Sequence, residues 1–166
     1  MRGKSPAGSR TELSAQMQVT DANLSGNVHG GTIMKMADNA AGLAAVRHSE
    51  GPVVTAAMDE MTFLEPVFVG DVVTVKASVN EAFTTSMEVG VRVEAENVQT
   101  GQVKHTSSAY LVFVALDPDG EPRPVPPLQP DTPEERQRQK EAWLRREARL
   151  ARKDAIEKAR AAEGED

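Results

Sequence analysis

Apolar and polar residues follow two rhythms along this chain. Between residues 32 and 48, Ile33, Met36, Ala37, Ala40, Ala41, Ala44 and Ala45 recur at three- and four-residue spacing without a proline, the period of an α-helix. Small apolar residues lie on most sides of that helix, so it is expected to be buried. Further on, Met87, Val89, Val91 and Val93 alternate with Glu88, Arg92 and Glu94, the period of a strand with one wet face. Strand-like runs at 12–20, 53–58, 72–83, 86–97 and 102–116 are separated by Gly51-Pro52, Gly70-Asp71 and a hairpin loop at 97–101. One early helix followed by antiparallel strands predicts an α+β domain.

The ends of the chain read differently. Residues 1–10 are expected to form a flexible tail and residues 11–130 the folded domain. Pro118, Pro122, Pro124, Pro126, Pro127 and Pro130 predict an extended, semi-rigid connector. Thr132 then stands as an N-cap, with Pro133 at the first helical position and Glu135 at the third, a capping box. The extension 131–166 is expected to be a charged helix to about residue 162. Its stripe of Leu144, Ala148, Ala151, Ala155 and Ala159 is too narrow and small to demand a partner, so a solvated helix is expected over coiled-coil or subunit packing. Trp143, the one tryptophan, is the expected anchor to the body.

Charge and composition remove several functions. The chain of 166 residues carries a net charge of −6. The stretch 131–166 holds ten acidic and ten basic residues, so the whole excess lies in the first 130. No basic stripe for a nucleic acid is visible. Cysteine is absent, which removes thiol nucleophiles, disulfides and thiolate metal ligands. No apolar run is long enough for a membrane span, and the first ten residues lack the apolar core of a secretory signal. A cytoplasmic location is expected.

The candidate chemistry lies in residues 21–48. A polar loop with Gly26, Gly30 and Gly31 can bring backbone N–H groups close to a ligand. It runs into the helix, where Asp38 is the single carboxylate among small apolar residues. Such a group either sits on a solvated edge beside Lys35 and Asn39 or serves as a general base or nucleophile. Gly31 and Asp38 are seven residues apart and therefore roughly 10 Å apart along the axis. If both serve one small reactive group, they most simply come from two chains. His48 and His105 show no metal-ligand spacing, and neither a Gly-x-Ser-x-Gly elbow nor a phosphate-cradling Gly-rich loop is present.

The run Asp21-Ala-Asn23-Leu-Ser-Gly26-Asn-Val-His29-Gly30-Gly31, followed by Asp38, resembles the long-chain acyl-CoA hydrolase group of hotdog-fold thioesterases. Met61-Thr-Phe-Leu-Glu-Pro-Val-Phe-Val-Gly70-Asp71, Thr84-Thr-Ser-Met-Glu-Val and the run from Ala109 to Pro126 extend the resemblance over residues 12–130. It implies a hotdog fold, an antiparallel sheet wrapped around one long buried helix. It implies hydrolysis of fatty acyl-CoA to free fatty acid and coenzyme A, with Asp38 and Asn23 catalytic and His29, Gly30 and Gly31 at the substrate. The backbone N–H of Gly31 is expected to polarise the thioester carbonyl. Thr84 and Ser86 are expected to border the coenzyme A channel. Arg47 and Arg123 are candidate phosphate partners because few other cations are near. No metal or cofactor is expected, coenzyme A being part of substrate and product. The expected assembly is a homodimer, further grouped as a trimer of dimers. Two alternatives remain at this level: a regulatory hotdog module that binds acyl-CoA without cleaving it, and a hotdog dehydratase using His29.

Overall fold

The alternating runs pair as one five-stranded antiparallel sheet in the order β1-β3-β4-β5-β2 in the computed structural model, which describes residues 1–163. The strands are β1 (Thr11–Gln16), β2 (Val53–Phe63), β3 (Val72–Ala82), β4 (Ser86–Asn97) and β5 (Gln102–Ala115). The long helix α1 (Gly30–Ser49) lies against one face of this sheet, and α2 (Pro133–Glu163) against the other. The last three residues of the charged extension fall outside the described residues.

The core forms where the two rhythms meet. Val73, Val75 and Val79 of β3, Met87, Val89 and Val93 of β4, and Leu111 and Phe113 of β5 are all fully buried. They pack against Ile33, Ala37, Ala40, Ala41, Ala44 and Ala45 of α1. Alanine at the helix face lets the sheet approach closely, and the branched strand residues fill the space between. The expected α+β hotdog arrangement is therefore what the chain adopts. Met58 and Met61 pack against this core, whereas Met34 and Phe63 are about half exposed.

β2 runs five residues beyond the expected 53–58. Its register against β5 shifts between Thr55 and Ala57 and again between Met58 and Glu60. Each bulge puts an extra residue into the strand and resets its alternation, so a period count loses it halfway. β1 stops at Gln16, earlier than expected, because the chain then enters a short 3-10 turn at Val19–Asp21.

Residues 4–10, read from sequence as a flexible tail, are docked. Lys4 exchanges backbone hydrogen bonds with Pro127 and Gln129, and the buried Ser9 hydroxyl accepts the Val79 N–H at 3.0 Å. The Lys4 ammonium donates to the carbonyls of Arg47 and His48 at 3.0 Å each, at the negative end of α1. It also pairs with Glu50 at 2.6 Å. The proline connector lies along the same end: Val125 N–H donates to Thr84, and the Pro126 carbonyl meets His48 Nε2 at 2.8 Å.

His48 is buried there, and its Nδ1 has no partner among the described residues. Burial holds its pKa below the ordinary value of 6.5, with Lys4 adding to the shift and Glu50 and the Pro126 carbonyl opposing it. The unfolded chain therefore binds the proton first as pH falls, and stability is lost as pH drops below about 6.5. The melting temperature should fall more steeply between about pH 7 and about pH 5 in the native protein than in His48→Gln, whose amide still reaches Pro126. Parallel melting curves across that range would remove the assignment.

The capping box of α2 is formed as predicted. Thr132 Oγ1 accepts the Glu135 N–H at 3.1 Å, and Glu135 Oε2 accepts the Thr132 N–H at 3.2 Å. Trp143 is an anchor, its indole N–H donating to Glu81 at 2.6 Å and its ring meeting Phe83 edge-on at 5.1 Å. Where a solvated helix is expected, however, the first half is pressed onto the sheet through charged residues. Arg145 pairs with Glu88 at 2.7 Å and Arg149 with Asp59 at 2.8 Å, and Ala142 is fully buried. Leu144, the largest residue of the predicted stripe, points outward.

Candidate active site

The loop before α1 is tied by its own backbone. His29 N–H donates to Asp21 at 2.7 Å, Asn23 N–H donates to Asn27 at 2.7 Å, and Ala22 bridges to Val28. Gly26 takes φ +82°, where a side chain would be strained. Asn23 Oδ1 accepts the N–H groups of Ser25 and Asn27 at 2.9 and 3.3 Å. That turns the carbonyl branch of the amide inward and leaves the NH₂ branch on an exposed residue as a donor.

His29 is the N-cap of α1. Its Nδ1 accepts the Gly31 N–H at 3.0 Å, and its carbonyl accepts the Thr32 N–H at 2.9 Å. A Cβ on Gly31 would lie 3.2 Å from that ring nitrogen, so glycine lets the imidazole close over the helix end. This revises one expectation: the Gly31 N–H is engaged by His29. The N–H of Gly30, the first residue of the helix, has no intrahelical acceptor and carries the positive end of the dipole. Gly30 faces Phe63 from the end of β2, whose ring would meet an added Cβ at 3.4 Å.

Asp38 is half buried, two turns further along α1. Its Oδ1 accepts the hydroxyl of Thr55 from β2 at 2.9 Å, and among the described residues Oδ2 has no hydrogen-bond partner. Thr55 is the residue the sequence reading missed; it was legible only as one polar position in a short strand. About eight helical residues, roughly 12 Å, separate Asp38 from Gly30. Asn23 sits in the loop that precedes the helix N-terminus. One chain thus presents two half-sites, a loop half with Asn23, His29, Gly30 and Gly31, and an acid half with Asp38 and Thr55.

Thr84 and Ser86 do not join either half within the chain. They flank the β3–β4 turn, where Ser86 pairs with Val114 of β5. The next residue, Met87, faces α1, so Ser86 faces the α2 side of the sheet, away from Asp38. Arg47 and Arg123 are likewise not free for phosphates. Arg47 donates to the Arg10 carbonyl and to Thr11. Arg123 donates to the carbonyls of Leu116 and Ser49 at 2.9 and 2.8 Å.

A curled antiparallel sheet closed over one long helix defines the hotdog class. The thioesterase superfamily matches residues 25–102. Among solved structures, the acyl-CoA hydrolase of Staphylococcus aureus, in complex with butyryl coenzyme A, coenzyme A and coenzyme A disulfide, is 34% identical and aligns over 94% of this chain and 95% of its own, with a TM-score of 0.87. That enzyme has also been solved with an aspartate, an asparagine or a threonine replaced by alanine. The hexameric thioesterase y2039 of Yersinia pestis, 34% identical, aligns over 69% of this chain and 93% of its own with a TM-score of 0.66. A Bacillus subtilis protein named as an uncharacterized acyl-CoA thioester hydrolase is 40% identical over 115 residues, 69% of this chain and 67% of its own. This chain belongs to the thioesterase superfamily and, within it, to the acyl-CoA thioester hydrolases.

Proposed function

We propose that this protein hydrolyses fatty acyl-CoA to free fatty acid and coenzyme A in a site completed by two copies of the chain. The observation that carries the assignment is the Asp38–Thr55 hydrogen bond, which holds a carboxylate with one oxygen free on an open helix face. The three residues replaced by alanine in the Staphylococcus aureus enzyme fall at the same spacing along its chain as Asn23, Asp38 and Thr55 do here, which supports the same trio.

The loop half receives the thioester carbonyl. The Gly30 N–H and the Asn23 amide donate to its oxygen as negative charge develops there. His29 keeps the loop and the first helical turn in place through the Gly31 N–H. Asp38 of the facing chain takes a proton from water as the oxygen attacks the carbonyl carbon. Collapse of the tetrahedral adduct breaks the C–S bond, and the proton passes to the departing thiolate. In the alternative route the carboxylate attacks the carbonyl directly and expels the coenzyme A thiolate, and water then cleaves the resulting anhydride at the Asp38 carbonyl. A single turnover in oxygen-labelled water separates the two: label enters the fatty acid in the first route and the Asp38 carboxylate in the second. Coenzyme A enters and leaves as part of substrate and product, and neither route draws on a further cofactor.

The proposed partner is a second copy. Met34, Leu43 and Val46 of α1 and Val54, Phe63 and Leu64 at β2 are large apolar residues exposed in the single chain. β2 is also an edge strand whose outer side has no strand partner among the described residues. A twofold contact there would carry each loop half to the other chain's acid, and grouping three such dimers gives the hexamer named for the Yersinia pestis relative. Among the described residues no helix is long and apolar enough to cross a membrane.

The test mixes two inactive variants, Asp38→Asn and Asn23→Ala, after unfolding and refolding together. Random pairing restores one intact site in half of the dimers, so thiol release should recover to about a quarter of the native rate. A mixture as inactive as its components would show that both residues act within one chain.

A further inference from the structure

α2 outruns the sheet it sits on. It crosses the strands in the order of the sheet: Trp143 reaches Glu81 of β3, Arg145 reaches Glu88 of β4, and Arg149 and Arg152 both reach Asp59 of β2. β2 is the edge, so the turns after Arg152 pass beyond the last strand of this chain. Residues 153–162 add about 15 Å of helix, and all of them are exposed. The line that faces the sheet, Ala142, Arg145, Arg149 and Arg152, continues at the same three- and four-residue steps through Ile156 and Arg160. Ile156, 45% exposed, is thus a branched apolar side chain on the seated side of the helix, past the contact that ends the seat. A carboxylate waits at the matching edge. Glu60 of β2 pairs with Tyr110, whose ring lies under Arg145, so Glu60 is on the face of the sheet that α2 covers. It is exposed and meets the Thr62 hydroxyl at 3.5 Å, but no cation among the described residues.

We infer that residues 153–162 cross to the second copy of the chain and seat on the outer face of its sheet at β2, with Ile156 against the strand and Arg160 on the partner's Glu60. The inference rests on the twofold contact through β2 proposed above, which brings a second sheet to the place where the helix leaves the first. Across a twofold each chain gives one helix end and receives one, so both carboxylates gain a cation and both isoleucines are covered. Charge fits this occupant. Residues 152–162 carry four cations, Arg152, Lys153, Lys158 and Arg160, against two carboxylates, Asp154 and Glu157. The body they would meet, residues 1–130, holds the whole net charge of −6. α2 then straps the boundary at which the loop half of one chain meets the acid half of the other.

The experiment uses full-length Arg160→Lys, which keeps the charge and supplies an amine for coupling. Heavy-isotope and ordinary chains are unfolded and refolded together, then treated with a carbodiimide, which joins a carboxylate to an ammonium in contact with it. The expected product couples residue 160 to Glu60, and about half of the coupled peptide pairs should hold one heavy and one ordinary member, the random share for two chains. Within one chain this pair is out of reach, because eight residues, about 12 Å of helix, separate Arg160 from the Arg152 that meets Asp59. Ile156→Asp is read separately, by the exchange of subunits between heavy and ordinary oligomers. Exchange should quicken at least about tenfold, the loss of one buried isoleucine, with helix content unchanged. An oligomer in which no mixed pair joins residue 160 to Glu60 would overturn the inference, as would exchange at the native rate in Ile156→Asp. A native protein that is a monomer in solution would instead remove the twofold contact itself, and the two-copy site with it.

Discussion

Asp38→Asn should lower kcat by about two to four orders of magnitude, the range of a lost general base, and leave the assembly intact. Asparagine is nearly isosteric with aspartate, and its carbonyl oxygen can still accept the Thr55 hydroxyl that reaches Oδ1 at 2.9 Å. What it cannot do is take a proton from water or attack a carbonyl. KM should move little if the residue acts on the reacting atoms and not on substrate binding. Thr55→Val is the smaller companion. It keeps the strand's shape and removes one hydrogen bond to a charged group, so turnover should fall about tenfold through a less well-held carboxylate. Thiol release from acyl-CoA, with melting temperature and solution mass as controls, reads both. Undiminished turnover in Asp38→Asn would end the assignment of this residue.

The parts of this protein that could be read in advance are those with an uninterrupted period. α1, the inward face of β3 as far as Val79 and the inward faces of β4 and β5 repeat their apolar positions, and they occur nearly where the pattern puts them. The loop-and-helix motif placed Asn23, His29, Gly30, Gly31 and Asp38 on their elements. What it left out was contact between elements. Thr55 is joined to Asp38 across 17 residues of chain, and no local pattern marks that pairing. β2 was half hidden because two bulges reset its alternation. Arg47 and Arg123 looked like free cations only because the carbonyls they hold are distant in sequence.

The outer face of the sheet was hidden for a related reason. Hydrophobic periodicity locates buried surfaces when the burying residues are apolar. Here α2 covers buried carboxylates. Glu81 on β3, Glu88 on β4 and Asp59 on β2 are each almost inaccessible and meet Trp143, Arg145 and Arg149 in turn. Arg145 also lies 3.6 Å over the ring of Tyr110 on β5. One helix therefore touches four strands, including the edge strand that carries Thr55. The Yersinia pestis thioesterase aligns over 93% of its own length but only 69% of this chain, so a large part of this chain has no counterpart in it.

The largest effect on stability should come from breaking the middle contact of α2. Glu88 is 1% exposed, and Arg145 meets it with a forked pair, Nε reaching both carboxylate oxygens at 3.2 and 3.1 Å and Nη2 reaching Oε1 at 2.7 Å. Asn80 supplies one further donor at 3.1 Å. Arg145→Met keeps the length of the side chain and removes its charge, leaving a carboxylate buried with a single amide partner. The expected cost is about 3–5 kcal/mol, because the desolvation of Glu88 is then uncompensated. Arg145→Lys should fall between, since an ammonium keeps the charge but cannot fork. The double variant Glu88→Gln with Arg145→Met should recover most of the loss: the pair's own net contribution is small, and the penalty belongs to the orphaned charge. Denaturant unfolding of the four proteins reads these differences directly. If Arg145→Met unfolds within about 1 kcal/mol of the native protein, the value of an exposed ion pair, then Glu88 is wet in solution and α2 is not seated on the sheet.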